Sequence, residues 1–207
     1  MLPSSSTPAA ASGAATDVAP ASRGGKFLTF YLADEEYGVE ILKVQEIIGM
    51  QPITRVPRTP AFLRGVINLR GKVIPVVDLR ERFGMPPAVT DAVTEADAAA
   101  VATAAALRCI IVVQVRLATA GADDAPAARP VPMGIVVDRV SEVAAIADAD
   151  VEDAPSFGAG VRTEYLLGLG KTGTADGHGR VKLLLDIDRV LATDELAELP
   201  RVAAEAE

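Results

Sequence analysis

Alternating apolar and polar positions dominate residues 26 to 191 and predict short strands joined by turns. Leu28, Phe30 and Leu32 share one strand face, Asp34-Glu35-Glu36 supplies a polar turn, and Tyr37, Val39 and Ile41 return along a second strand. The next segment, a strand or a short turn running into one, places Val44, Glu46 and Ile48 on one face and Gln45 and Ile47 on the other. The stretch MQPITRVPRTPAFLRG contains three prolines, which predicts an extended strap with one helical turn at Pro60 to Leu63.

Arg64 to Gly84 forms the ribbon around which the rest is organised. Its apolar runs, Val66 to Leu69 and Val73 to Leu79, are joined by Arg70-Gly71-Lys72, the signature of a hairpin turning at Gly71. The second run is apolar on both faces: Val73, Pro75, Val77 and Leu79 point one way, Ile74 and Val76 the other. A strand with one wet face would alternate, so both sides need a cover. Pro75 cannot donate to a ladder and is expected at an edge or a bulge.

Residues 86 to 106 interrupt the pattern with alanine at ten of twenty-one positions, an exposed insertion of partly helical character. The β pattern resumes at Cys109 to Leu117 and Met133 to Val143, continues as short strands and turns, and gives a last strand at RVKLLLDI. From Asp188, the expected cap, Val190, Leu191, Leu196 and Leu199 make one apolar helical face. About ten short strands and a closing helix indicate an all-β fold, better divided into two small barrels than one large one.

A net charge of -8 and a pI near 4.8 disfavour a chain built to grip nucleic acid or anionic membranes. The single cysteine, Cys109, lies in an apolar run and reads as a small buried hydrophobe in a reducing cytoplasm. No apolar run has spanning length. Residues 1–25 are an Ala/Ser/Pro/Gly tail without secretory features, expected to be disordered, and residues 200–207 are expected to fray.

Catalytic signals are poor. Gly170-Lys171-Thr172 ends like a phosphate-binding loop, but Tyr165 stands where the first glycine belongs, and turn residues follow in place of a helix. Asp78, Asp138 and Asp186 each follow an apolar pair, yet strand-end aspartates more often cap turns or helices, and the one histidine, His178, sits in a glycine-rich turn. No catalytic, cofactor or metal residue is therefore assigned. Glu46 and Arg70, charged positions inside apolar segments beside Val44 and Val143, read equally well as a structural ion pair or as the rim of a protein-binding groove.

The strings FLTFYLADEEYGVEILKVQEIIG, ITRVPRTPAFLRGVINLRGKVIPVVDLRERFG, CIIVVQV, MGIVVDRVSEV, RTEYLLGLGK and LLLDIDRVL together resemble the chemotaxis coupling protein CheW family. The resemblance implies a domain over residues 26–199 of two intertwined SH3-like five-stranded barrels, with the insertion at 86–106 and a short C-terminal helix. It implies a non-enzymatic, cytoplasmic adaptor at membrane chemoreceptor arrays. Its partners would be the regulatory domain of the histidine kinase CheA and the cytoplasmic tips of chemoreceptors, with no cofactor, nucleic acid or membrane insertion. The family's receptor-contacting positions fall on Val44, Glu46, Gly65, Arg70 and Val143. An array controlling surface motility or gene expression is the alternative within this class; a small nucleotide-binding enzyme using Gly170-Lys171-Thr172 is the alternative outside it.

Overall fold

A computed structural model describes residues 23–86, 98–116, 130–154, 163–173 and 180–192. The first half supplies β1 (Gly25–Leu32), β2 (Glu35–Glu40), β3 (Val44–Gly49), β4 (Leu63–Leu69), β5 (Lys72–Asp78) and a four-residue helix, α1 (Leu79–Arg82). An Ala-rich helix, α2 (Ala98–Leu107), precedes β6 (Cys109–Arg116), β7 (Pro130–Val137), β8 (Arg139–Ile146), β9 (Val151–Glu152), β10 (Leu166–Thr172), β11 (Arg180–Leu185) and α3 (Ile187–Leu191). One sheet runs β8-β1-β2-β11-β10-β9 and the other β3-β6-β7-β5-β4. The pairs β2·β11 and β5·β7 are parallel; every other neighbour is antiparallel.

Each sheet curls until its outer strands share one interior. In the second sheet Ile48 of β3 and Leu69 of β4 flank a core of Ile67, Ile74, Val76, Ile110, Val112 and Val136. In the first sheet, Ala144 and Ile146 of β8 meet Val151 of β9 around Phe27 and Leu184. The result is two small barrels, the first counting six strands because the two-residue β9 joins its edge. The largest apolar cluster lies between them and takes Leu28, Phe30 and Leu32 from β1, Ile111, Val113 and Val115 from β6, and Met133, Ile135 and Val137 from β7.

This arrangement covers the two-sided run of β5. Ile74 and Val76 fill their own barrel, whereas Val77 and Leu79 enter the shared core, and Val73 at the outer end stays half exposed. Pro75, expected at an edge or a bulge, sits in an inner strand. Its neighbour Val66 turns both its N–H and its C=O to Thr54, at 2.8 and 2.9 Å, and the β7 pairing begins only at Val76. The missing proline donor therefore costs no ladder bond.

Three local expectations are corrected. The cap of α3 is Asp186, whose Oδ1 accepts from the Arg189 N–H at 3.2 Å; Asp188 instead pairs with Lys43 at 2.5 Å and accepts from the Arg116 N–H. Leu196 and Leu199 lie outside the described residues. Glu36, expected in a polar turn, is buried inside the first barrel, 2.5 Å from the buried Lys182 ammonium. Inside β3, Glu46 and Ile48 face the barrel interior but Val44 faces the shared core, because the ladder slips by one residue between Val44 and Glu46. A bulge inverts parity beyond it.

The barrels are also joined by aromatic contacts. Phe30, Tyr37, Phe83 and Tyr165 form a ladder with ring centroids 5.8 to 6.1 Å apart. The Arg82 guanidinium stands 4.8 Å from the Phe62 ring centroid, donates from Nε to the Val190 carbonyl at 2.9 Å and from a terminal nitrogen to the Tyr165 hydroxyl at 3.0 Å. Arg82→Ala removes the stacking and leaves the Val190 carbonyl without that donor, and should lower stability by about 1–3 kcal/mol in a urea titration.

Candidate functional site

The hairpin joining β4 to β5 has a two-residue loop. Arg70 (φ 53°) and Gly71 (φ 84°) both adopt left-handed backbone, the geometry of a type I′ turn. Such a turn favours Asn-Gly, since an ordinary side chain in this region costs about 1–2 kcal/mol. The Asn68 side chain steadies it by accepting the Gly71 N–H at 2.9 Å. Arginine at the strained position carries a long cation across the open side of the second barrel, and its guanidinium donates to the Glu46 carboxylate at 2.8 Å. Arg70 remains 78% exposed and Glu46 26% exposed, so the pair spans the barrel mouth from one outer strand to the other and meets solvent on the arginine side.

The other expected contact residues take different places. Gly65 is buried on β4 with φ 138°, and a Cβ there would lie 2.1 Å from the Thr54 carbonyl oxygen. It is the point where the proline-rich strap crosses β4, and only glycine admits that approach. Val44 is half-buried against the shared core. Val143, 52% exposed, lies on β8 of the first barrel as cross-strand partner of Leu28, so it faces the shared-core side. Glu46 and Arg70 are thus brought into contact, Gly65 supports the strap beside them, and Val143 belongs to the other barrel. Periodicity missed Ile47: it is 46% exposed and, past the bulge, projects from β3 toward the same side as Val44.

The candidates for chemistry resolve into structural roles. Asp78 caps α1, its Oδ1 accepting the Arg80 N–H at 2.9 Å, and its other oxygen lies 3.5 Å from the Arg108 guanidinium. Asp138, between β7 and β8, accepts the Ala33 N–H at 2.7 Å and approaches Arg80 at 3.5 Å. These arginines balance the carboxylates where the chain passes from one barrel to the other. Gly170-Lys171-Thr172 runs inside β10, paired with β11, with Lys171 turned outward to Glu152. A phosphate cradle needs a loop opening onto a helix, and a paired strand offers its amides to the ladder instead. Cys109 is half-buried, and burial raises its thiol above the ordinary value, against thiolate chemistry.

Burial opposes ionisation of Glu36. The Lys182 ammonium, with the side chains of Thr29 and Ser141, more than offsets it, so the carboxyl titrates below its ordinary value. Glu142 also approaches the same ammonium, at 3.5 Å. No helix among the described residues is long and apolar enough to cross a membrane.

Residues 26–195 match the CheW-like domain family. A chemotaxis protein CheW of Klebsiella aerogenes is 36% identical over 180 residues, covering 87% of this chain and 89% of that protein. The CheW of Treponema pallidum is 28% identical over 174 residues, covering 84% and 86%. The crystal structure of the scaffolding protein TtCheW from Thermoanaerobacter tengcongensis superposes with a TM-score of 0.60 at 28% identity, covering 83% of this chain and 90% of that one.

Proposed function

The chain belongs to the CheW family of non-enzymatic scaffolds that couple chemoreceptors to the histidine kinase CheA, and we propose that it engages the receptor through the β3 edge and the Arg70 turn. The observation that carries this reading is the left-handed Arg70: a strained turn residue spent on an exposed ion pair makes sense where the guanidinium serves a partner. An isolated surface pair contributes at most about 1 kcal/mol to folding, too little to justify the turn strain on its own. On this reading a receptor segment lays apolar side chains against Val44, Ile47 and Val143. Arg70 and Glu46 set its register, and Gly65 keeps the strap in place behind them. The kinase's regulatory domain docks elsewhere on the barrels, and the assembly sits at the cytoplasmic side of membrane chemoreceptor arrays.

Glu46→Ala and Arg70→Ala should each weaken binding to a cytoplasmic receptor fragment by about 1–2 kcal/mol. The melting temperature should move little, because the pair is exposed on the arginine side. Arg70→Asn sharpens the test. It suits the I′ turn better and should hold or raise stability, yet it removes the guanidinium and should bind like Arg70→Ala. Normal capture of the receptor fragment by all three variants in a ternary pull-down with the kinase would sink the assignment.

A further inference from the structure

The described residues on either side of α2 form two copies of one pattern. Gly38 pairs with Leu184 as Gly134 pairs with Val76, the only parallel junction in each barrel among the described residues. Counting outward, Val44, Glu46 and Ile47 on β3 correspond to Val140, Glu142 and Val143 on β8, and both strands carry a register slip at the matching place. The strings Lys43-Val44-Gln45-Glu46-Ile47 and Arg139-Val140-Ser141-Glu142-Val143 repeat residue type by residue type. Asp78 at the end of β5 and Asp186 just past β11 each cap a short helix, and each donates its own N–H to the carbonyl of the aromatic residue just before the preceding strand, Phe62 or Tyr165.

The copies do not fold into one barrel each. The hairpin β1–β2 of the first sits in the barrel of β8 to β11, and the hairpin β6–β7 of the second sits in the barrel of β3 to β5. Four pairings cross between copies: β1·β8, β2·β11, β3·β6 and β5·β7. Among the described residues β3 pairs only with β6, and β8 only with β1. Each of the three core clusters draws residues from both copies, and the buried Glu36–Lys182 pair has one member in each.

From this topology we propose that residues 23–86 and 108–192 are obligate complementary halves, joined by a tether and not by a fold requirement. The partner surface of each half is the full set of edges it leaves unpaired. The second half of another copy of this chain presents the same edges and fits it equally well. The connection raises the effective concentration of the two halves for each other, and the four crossing pairings lie between strands of the halves themselves.

The test uses the full chain with a specific protease site inserted between residues 92 and 93, cut after folding. The cut protein should run as one particle with the mass of the uncut chain. Its melting midpoint should fall by about 10 °C on a hundredfold dilution, as mass action demands of a two-part complex of this size, while the uncut protein does not move. Mixed with an isotope-labelled cut copy and warmed through the transition, it should give crossed particles in native mass spectrometry. Separation into two folded halves, precipitation on cutting, a concentration-independent midpoint, or absence of crossed particles overturns the proposal.

Discussion

Lys182→Met should lower the unfolding free energy by about 3–5 kcal/mol, the largest effect expected of any single substitution that leaves the receptor face untouched. The ammonium and the Glu36 carboxylate lie 2.5 Å apart in the first barrel, with side chains 4% and 7% exposed. Removing one partner leaves the other charge buried, and the cost is its desolvation and not the worth of the pair. The double substitution Glu36→Leu with Lys182→Met should therefore recover much of the loss, and a double-mutant cycle by urea titration reads the difference. If Lys182→Met alone proves neutral, water reaches the site and the charges are not confined.

The same pair gives a pH dependence of definite sign. Because the folded Glu36 titrates below its ordinary carboxyl value, its contribution is fully present above the unfolded pKa and fades as pH falls through the folded one. Glu36→Gln should flatten that acid limb of the stability profile and leave the neutral limb's shape alone. An acid limb unchanged by the substitution would show that other carboxylates govern it.

Gly65→Ala should destabilise by about 2–4 kcal/mol for a different reason. The new methyl would meet the Thr54 carbonyl oxygen at 2.1 Å, and φ 138° is closed to alanine even in open space. The strap must lift from β4, breaking the paired Thr54–Val66 hydrogen bonds of 2.8 and 2.9 Å. Receptor binding should then fall together with the melting temperature. Loss of binding at wild-type stability would instead make Gly65 a direct contact. Glu46 and Arg70 variants should show that second pattern, so the two kinds of site residue are separated by one pair of measurements.

Much of the fold was legible because it is local. The Arg70-Gly71 hairpin, the strap, the Leu28-Phe30-Leu32 face and the Asp78 cap follow from neighbours in sequence. The Val44–Glu46 assignment to one face failed because a bulge adds a residue without disturbing the visible alternation. Lys182 resembled any outward polar position among the leucines of β11, and nothing nearby announced that Glu36, 146 residues away, waited inside. Strand partners across barrels were illegible for the same reason: alternation says which way a side chain faces and not which strand it faces. The repeat itself could have been found by aligning KVQEI with RVSEV.

The exchange of hairpins also bears on how the chain leaves the ribosome. When residues 23–86 are complete, β3 and the open edges of β1, β2 and β5 have no partner, and Phe30, Val76 and Val77 have no core to enter. At about 5–20 residues per second β7 is complete only after roughly 3–10 s and β11 only after roughly 5–20 s. Until those strands arrive the nascent first half keeps an unpaired, apolar β surface. Synthesis speed and chaperone capture thus bear on the yield of this protein more than on one whose barrels close in sequence order.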